Sequence, residues 1–239
     1  MTVQLFIPCF VDQLYPQTAF NMIKVLEKAG CAVTYNEKQT CCGQPAFNAG
    51  FRDPAKDVCG KFIKDFAGTD YIVAPSASCV GFVRNYYPML FENSSVLNEV
   101  KALQARTFEF SEFLVNVLHI DNFGASLNAK ATYHDSCAGL RECHIKSEPR
   151  RLLANVRGLE LVEMNDVETC CGFGGTFAVK FESISVSMAD QKVANASQTK
   201  AEYIISTDLS CLMHIQGYIS TKGLRMQTMH LADVLANGW

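Results

Sequence analysis

The sequence predicts an α/β protein built as two duplicated, Rossmann-like parallel-sheet domains related by a pseudo-two-fold, and three observations carry that expectation. Cys41-Cys42-Gly43 and Cys170-Cys171-Gly172, each preceded by threonine, lie 129 positions apart. An isolated cysteine precedes each tripeptide at nearly the same distance, Cys9 and Cys137, and another follows each, Cys79 and Cys211. Short apolar runs alternate with helical patterns in the same order in both halves. A period of about 130 is too long for a solenoid and indicates a duplicated domain, so the halves are placed at 1–120 and 130–239.

In the first half, Val3–Pro8, Ala32–Tyr35 and Tyr71–Ser76 are β-branched or aromatic runs bounded by turn residues and read as buried strands. Between the first two, Ala19, Phe20, Ile23, Leu26 and Ala29 recur at helical spacing and stop at Gly30, which suits a helix C-terminus. Residues 91–105 show no strong pattern, and the linker is placed within 119–130. The second half repeats the order: strands at Ala131–His134, Leu159–Met164 and Tyr203–Thr207, with a helix from Pro149 to Val156 stopped by Gly158. Alternating strands and helices imply parallel sheets that bind ligands beyond the carboxyl ends of their strands. Cys9, Cys79, Cys137 and Cys211 each follow such an end.

With 49% hydrophobic and 19% charged residues the chain can bury a substantial core, which excludes a disordered or fibrous protein. A net charge of −3 without a run of five like charges gives no footprint for nucleic acid or an anionic membrane. The first residues lack a basic stretch and are interrupted by Gln4, Pro8 and Asp12, and no apolar run approaches the ~18 residues of a transmembrane segment. The expectation is a cytoplasmic protein whose 11 cysteines are reduced and largely serve as ligands.

Four thiolates meeting at one end of a sheet select zinc, copper(I) or an iron–sulfur cluster over hard cations. Neighbouring cysteines on extended backbone point apart, which suits an object larger than one ion, and Gly43 and Gly172 would allow a left-handed turn beside it. Cys31, Cys59 and Cys143 have no counterparts in the other half and read as packed or surface thiols. His134, three residues before Cys137, is positioned to hydrogen-bond a sulfur or accept a proton; Arg141 is a weaker candidate for offsetting negative charge. The Gly172-Phe173-Gly174-Gly175 turn lacks the spacing of a phosphate loop, and no G-x-S-x-G or H-E-x-x-H is present. Hydride chemistry is usually carried by flavin or nicotinamide, and no fingerprint for either is present, so this chain is not expected to carry out hydride transfer by itself.

With Ile7-Pro8-Cys9, Tyr133-His134-Asp135-Ser136-Cys137 and Cys170-Cys171-Gly172-Phe173-Gly174-Gly175, the constellation resembles the cysteine-rich CCG domain family. That family includes a component of heterodisulfide reductase and iron–sulfur subunits of glycolate oxidase and anaerobic glycerol-3-phosphate dehydrogenase. The short two-copy form looks most like its lactate-utilisation branch, and the resemblance spans essentially the whole chain. It implies metal ligation by Cys9, Cys41, Cys42 and Cys79 in one half and by Cys137, Cys170, Cys171 and Cys211 in the other. The implied cofactor is an iron–sulfur cluster, in its simplest form a four-cysteine [4Fe-4S] cluster, with zinc left open in the N-terminal half. Fuller family members end each half with C-x-x-C; here Ser76 and Asp208 replace the first cysteine, leaving four thiolates per half and two candidate oxygen ligands. The resemblance further implies an oxidoreductase subunit carrying electrons in a complex that oxidises L-lactate to pyruvate, with a ferredoxin-like iron–sulfur subunit and a third lactate-utilisation subunit as partners. A thiol–disulfide redox subunit like heterodisulfide reductase and a zinc-binding, non-redox scaffold are the alternatives. Polar neighbours around the second cysteine set assign it the chemistry, leaving the first to relay electrons or support the fold.

Overall fold

All six apolar runs overlap strands, although β6 (Arg157–Leu161) begins before the run Leu159–Met164 and stops three residues short of its end, and each half adds a fourth strand at its sheet edge. In the computed structural model, which describes residues 1–239, the first half runs β1 (Thr2–Leu5), α1 (Cys9–Leu14), α2 (Pro16–Lys28), β2 (Ala32–Tyr35), α3 (Gln44–Asn48), α4 (Arg52–Asp65), β3 (Tyr71–Ala74), α5 (Ala77–Asn85), α6 (Tyr87–Leu90), α7 (Leu97–Ala105), β4 (Thr107–Glu109) and α8 (Phe110–Glu112), which continues as a π-helical turn over Phe113–Val117. The second half runs β5 (Ser126–Tyr133), α9 (Cys137–Arg141), α10 (Ser147–Ala154), β6 (Arg157–Leu161), α11 (Thr176–Lys180), α12 (Glu182–Gln198), β7 (Tyr203–Ser206), α13 (Leu209–Thr221), β8 (Gln227–His230) and α14 (Leu231–Leu235).

The strand orders are β2-β1-β3-β4 and β6-β5-β7-β8, with every neighbouring pair parallel. Matching registers set Val3 beside Val33 and Tyr71, and Ala131 beside Leu161 and Tyr203. Chain order reverses between β1 and β3 and between β5 and β7, and crevices at such switch points bind ligands in open parallel sheets. Cys9 and Cys79 follow one of these pairs, Cys137 and Cys211 the other.

Several local readings shift. The edge strand β4 has only three residues, too few to show a period, and β8 (Gln227-Thr228-Met229-His230) carries a single apolar residue and so lacks the apolar run that marks the other strands. Strand β5 starts at Ser126, inside the stretch read as linker, because its first residues are only half-buried and its register shifts between Ser126 and Ala129. Helix α7 occupies the stretch without a pattern, burying only Val100 and Leu103. On α2 the buried face is Thr18, Met22, Val25 and Leu26, which leaves Phe20 60% exposed. Gly30, at φ +81°, closes that helix by donating to Glu27 O (2.9 Å), and Cys31 N–H donates to Leu26 O (3.0 Å). Gly158 instead sits in β6, where an added Cβ would lie 2.0 Å from Asn128 Oδ1.

One core of 36 buried residues draws on both halves, joining Val3, Leu5, Met22 and Leu26 to Ile204, Ile205, Ile215 and Leu231; a second core of 20 is built mainly from the first half. Reciprocal contacts bind the halves: α14 packs on α2, and α10 on α8. Asp233 accepts hydrogen bonds from Thr18 Oγ1 (3.0 Å) and Asn21 Nδ2 (2.9 Å) at the first of these. The matched residues Ser76 and Asp208 pair in a short antiparallel bridge, where the carboxyl ends of the two sheets meet at the pseudo-two-fold.

Candidate metal centre

The four isolated cysteines lie on the first turns of helices, because each switch-point strand is followed by a helix: Cys9 opens α1, Cys137 opens α9, and Cys79 and Cys211 are the third residues of α5 and α13. The Cys-Cys-Gly turns come from the segments after β2 and β6 and complete two cups of four sulfurs. All eight cysteines line one cavity of about 360 Å³ between the halves. Pro8, Phe10 and Pro45 also border it on one side, and Phe173, Gly174 and Gly175 on the other.

Within each cup the sulfurs interact in series. Cys42 and Cys79 Sγ are 3.5 Å apart, and Cys41 interacts with both Cys42 and Cys9. The second cup repeats this through Cys137, Cys170, Cys171 and Cys211. The vicinal sulfurs therefore do not point apart, as extended backbone would require, but share a cup because the chain turns at the following glycine. Gly43 and Gly172 both have φ +93°, and their N–H groups donate to Cys41 Sγ (3.3 Å) and Cys170 Sγ (3.4 Å). Their missing side chains also permit close helix approach: a Cβ on Gly43 would lie 2.9 Å from Cys59 Sγ, and one on Gly172 would lie 2.6 Å from Ser185 O.

Hydrogen bonds from Cys42 and Cys9 draw the Cys41 thiol down to about 3, and bonds from Cys137 and Cys171 draw Cys170 to about 2. The partner thiols Cys42 and Cys171 are pushed up, first by their bonds with Cys41 and Cys170, then by bonds with Cys79 and Cys211, and then by burial. Each cup thus concentrates thiolate character on the first cysteine of its pair, the ionised form that binds metals.

His134 is fully buried behind the second cup, and neither ring nitrogen has a hydrogen-bond partner. Burial, and then the charge of Lys192, lower its pKa to about 3. Lys192 is itself completely buried, its Nζ donating to Asp166 O (2.8 Å) and Val167 O (3.0 Å). Lys192 belongs to no sequence motif, although it shares the apolar face of Ala189, Val193 and Ala196, where a lysine is out of place. Asp208 and Ser76 border the cavity, but their oxygens have partners: Asp208 Oδ2 accepts from Ser78 N–H (2.9 Å), its Oδ1 from Ser210 N–H (3.3 Å) and Oγ (2.6 Å), and Ser76 Oγ lies 3.1 Å from Ser78 Oγ. Arg141 is exposed near Cys137. Cys31, Cys59 and Cys143 are buried; Cys59 donates to Cys42 O (3.4 Å) and Cys143 to Ala77 O (3.4 Å).

The donor chemistry fits metal binding: four soft sulfurs per cup and, in the second, an unpaired imidazole. The fold and the two sulfur cups define a tandem cysteine-rich domain protein. The cysteine-rich CCG domain matches twice, over residues 3–84 and 131–216. Lactate utilization protein A from Geobacillus kaustophilus is 42% identical over 235 residues, covering 98% of each chain. Its counterpart from Halalkalibacterium halodurans is 45% identical over 235 residues, covering 98% of this chain and 96% of the relative. The chain belongs to the CCG cysteine-rich domain family, in the lactate utilization protein A group. A hypothetical protein from Helicobacter pylori of known crystal structure shares the fold at a TM-score of 0.58 and 13% identity, over 98% of this chain and 48% of that one. No helix is long and apolar enough to cross a membrane.

Proposed function

We propose that the chain is an iron–sulfur electron-transfer subunit of a cytoplasmic, multi-subunit complex that oxidises L-lactate to pyruvate. The halves 1–120 and 130–239 are its two functional units. Cys9, Cys41, Cys42 and Cys79 would hold one cluster and Cys137, Cys170, Cys171 and Cys211 the other, each most simply [4Fe-4S], with zinc as the alternative occupant of the first cup. A bound cluster supplies single-electron transfer. The protein supplies the sulfurs, the glycine N–H groups that polarise them, and a buried lysine near the second set. The observation that carries this reading is the meeting of eight cysteines, in two matched sets, on one cavity in a chain so similar to proteins named for lactate utilisation. The partners are a ferredoxin-like iron–sulfur subunit and a third lactate-utilisation subunit, since the chain carries no motif for a hydride-transferring cofactor.

The shared cavity favours a second reading, a thiol–disulfide redox subunit, because about 360 Å³ lies within the range of small-molecule sites. Iron, zinc and acid-labile sulfide analysis of anaerobically purified protein, followed by lactate-dependent dye reduction with the partner subunits, tests the first reading. Brown protein supporting lactate oxidation agrees with it. Colourless zinc protein sinks both redox readings, and disulfide reduction without lactate activity favours the second.

A further inference from the structure

The buried imidazole at the second cup has no counterpart in the first. We propose that the C-terminal cup is a mixed sulfur–nitrogen metal site in which His134 is itself a ligand beside Cys171 and Cys211, whereas the N-terminal cup binds through sulfur alone. A His134 ring nitrogen and the Sγ atoms of Cys171 and Cys211 lie within 4.8 Å of one another. A tetrahedral ion with bonds of about 2.0–2.3 Å holds its ligands roughly 3.3–3.8 Å apart, so the three atoms reach it by closing on it by about 1 Å. Both nitrogens are buried without a partner, and a buried polar group left unpaired is destabilising. Coordination would satisfy one of them. Lys192 does not, because its hydrogen bonds go to the Asp166 and Val167 carbonyls.

The backbone holds the ring in place. His134 N–H donates to Ile205 O (2.8 Å), and His134 O accepts from Ser206 Oγ (2.9 Å), so the end of β5 is tied to β7 on both sides of the residue. The matched residue in the first half, three before Cys9, is Phe6, whose ring meets Phe62 edge-on at 4.8 Å and offers no donor. In this centre His134, Cys171, Cys211 and one of Cys137 and Cys170 are the four ligands, so one thiolate of the cup is displaced. Replacing a thiolate by a neutral imidazole removes a negative charge from a centre and raises its reduction potential. The C-terminal centre is therefore the electron-accepting end of the pair. The inference rests on the cups holding metal, but not on that metal being iron.

Cobalt(II) reports the donor set directly, because sulfur-to-cobalt charge-transfer absorbance grows with the number of thiolates. The experiment uses the reduced, metal-free full chain with the first cup silenced by Cys41→Ser and Cys42→Ser. His134→Cys should keep cobalt and raise the charge-transfer absorbance by roughly one third, from three thiolates to four. His134→Phe, which copies the first half, should weaken cobalt binding roughly 10–100-fold while the circular dichroism of the unloaded chain stays unchanged. Matching spectra and affinities for His134, His134→Phe and His134→Cys proteins would overturn the inference. Failure of the unsubstituted second cup to bind cobalt would overturn the metal-centre reading together with it.

Discussion

Phe6-Ile7-Pro8-Cys9 and His134-Asp135-Ser136-Cys137 occupy the same place after β1 and β5, yet share only the cysteine. Behind the first cup, Phe6 meets Phe62 and Phe66 edge-on, and Phe62 meets Tyr87 in the same manner. Behind the second, polar groups take these positions. The Cβ sites of Gly43 and Gly172 face Ala55 and Val58 in one half and Ser185 and Met188 in the other, so four residues further along, Lys192 corresponds to Phe62. Three residues after the last cysteine, His214 corresponds to Phe82, and its Nε2 lies 3.1 Å from Ser185 Oγ, which donates to Gly172 O (2.8 Å). Ile7 is matched by Asp135, held by both terminal nitrogens of Arg150 at 2.9 and 3.0 Å. The same backbone thus delivers two equivalent sulfur sets, while the layer behind them makes one surrounding apolar and the other polar. A duplicated site diverges most cheaply there, because the sulfurs and their turns stay untouched.

The largest effects should come from the sulfurs and be confined to one cup. Cys171→Ser should remove the metal of the second cup and Cys42→Ser that of the first, because serine is a harder and far less acidic ligand. Cys59→Ser, just behind the first cup, should leave both metals and any colour in place. Metal analysis of the three proteins checks this, and equal loss in all of them would mean that the division into ligands and bystanders is wrong.

The glycines come next. Alanine at either turn must adopt φ +93°, but at Gly172 its Cβ meets the Ser185 carbonyl at 2.6 Å and Met188 Cβ at 2.9 Å, whereas at Gly43 the nearest atom, at 2.9 Å, is the end of a side chain, Cys59 Sγ. Gly172→Ala should cost about 3 kcal/mol and Gly43→Ala about 2 kcal/mol in urea unfolding of the metal-free chain. Equal costs would show that strain comes from the dihedral angle alone.

Much of this was legible in the sequence because duplication doubles weak signals. One Cys-Cys-Gly says little, but two with flanking cysteines at matched distances mark the cups, and apolar runs as short as Ala32–Tyr35 become credible when a counterpart lies in the other half. What stayed hidden depends on three-dimensional context. Strand β4 is too short for any period and β8 has only one apolar residue, while the placement of both sulfur sets on one cavity follows from how the halves dock at Ser76 and Asp208. The glycines predict the left-handed turn at Gly43 and Gly172, but not that it brings the vicinal sulfurs into one cup. Lys192 could have been found, since a cation on the face of Ala189, Val193 and Ala196 needs a reason to be there.

That lysine gives a test of the electrostatic contrast. Lys192→Met removes a buried positive charge behind the second cup without removing a sulfur, so the metal should remain and the centre should become harder to reduce. A buried unit charge coupled to Cys171 and Cys137 is expected to change the potential by roughly 50–100 mV. Phe62→Met, the matched change behind the first cup, should move neither potential. Spectroscopic redox titration reads both centres, and a shift of the first centre by Lys192→Met would break the assignment of charge to the second.

The smallest effect concerns two matched helix caps. Glu109 ends β4 and accepts from the N–H groups of Ser111 (2.8 Å) and Glu112 (3.2 Å), while His230 ends β8 and accepts through Nδ1 from Ala232 N–H (3.1 Å). Both are buried, and burial drives them in opposite directions: Glu109 is pushed up to about 8, and His230 is lowered. The folded chain holds the Glu109 proton more tightly than the unfolded chain, so its contribution to stability is complete below the ordinary carboxyl value of 4.5 and is lost as the pH rises through about 8. His230 behaves oppositely, contributing above its ordinary 6.5 and losing that contribution as the pH falls. Between pH 5 and 6.5 the two partly cancel; from 6.5 to 8 the Glu109 loss stands alone, at up to about 1.4 kcal/mol per pH unit. Glu109→Gln should therefore match the parent near pH 5 and exceed it near pH 8, while His230→Asn should remove the opposing contribution, so that the decline sets in at lower pH. Urea midpoints measured across this range decide it, and pH profiles for both variants that run parallel to the parent would show that neither cap titrates in the folded chain as its burial requires.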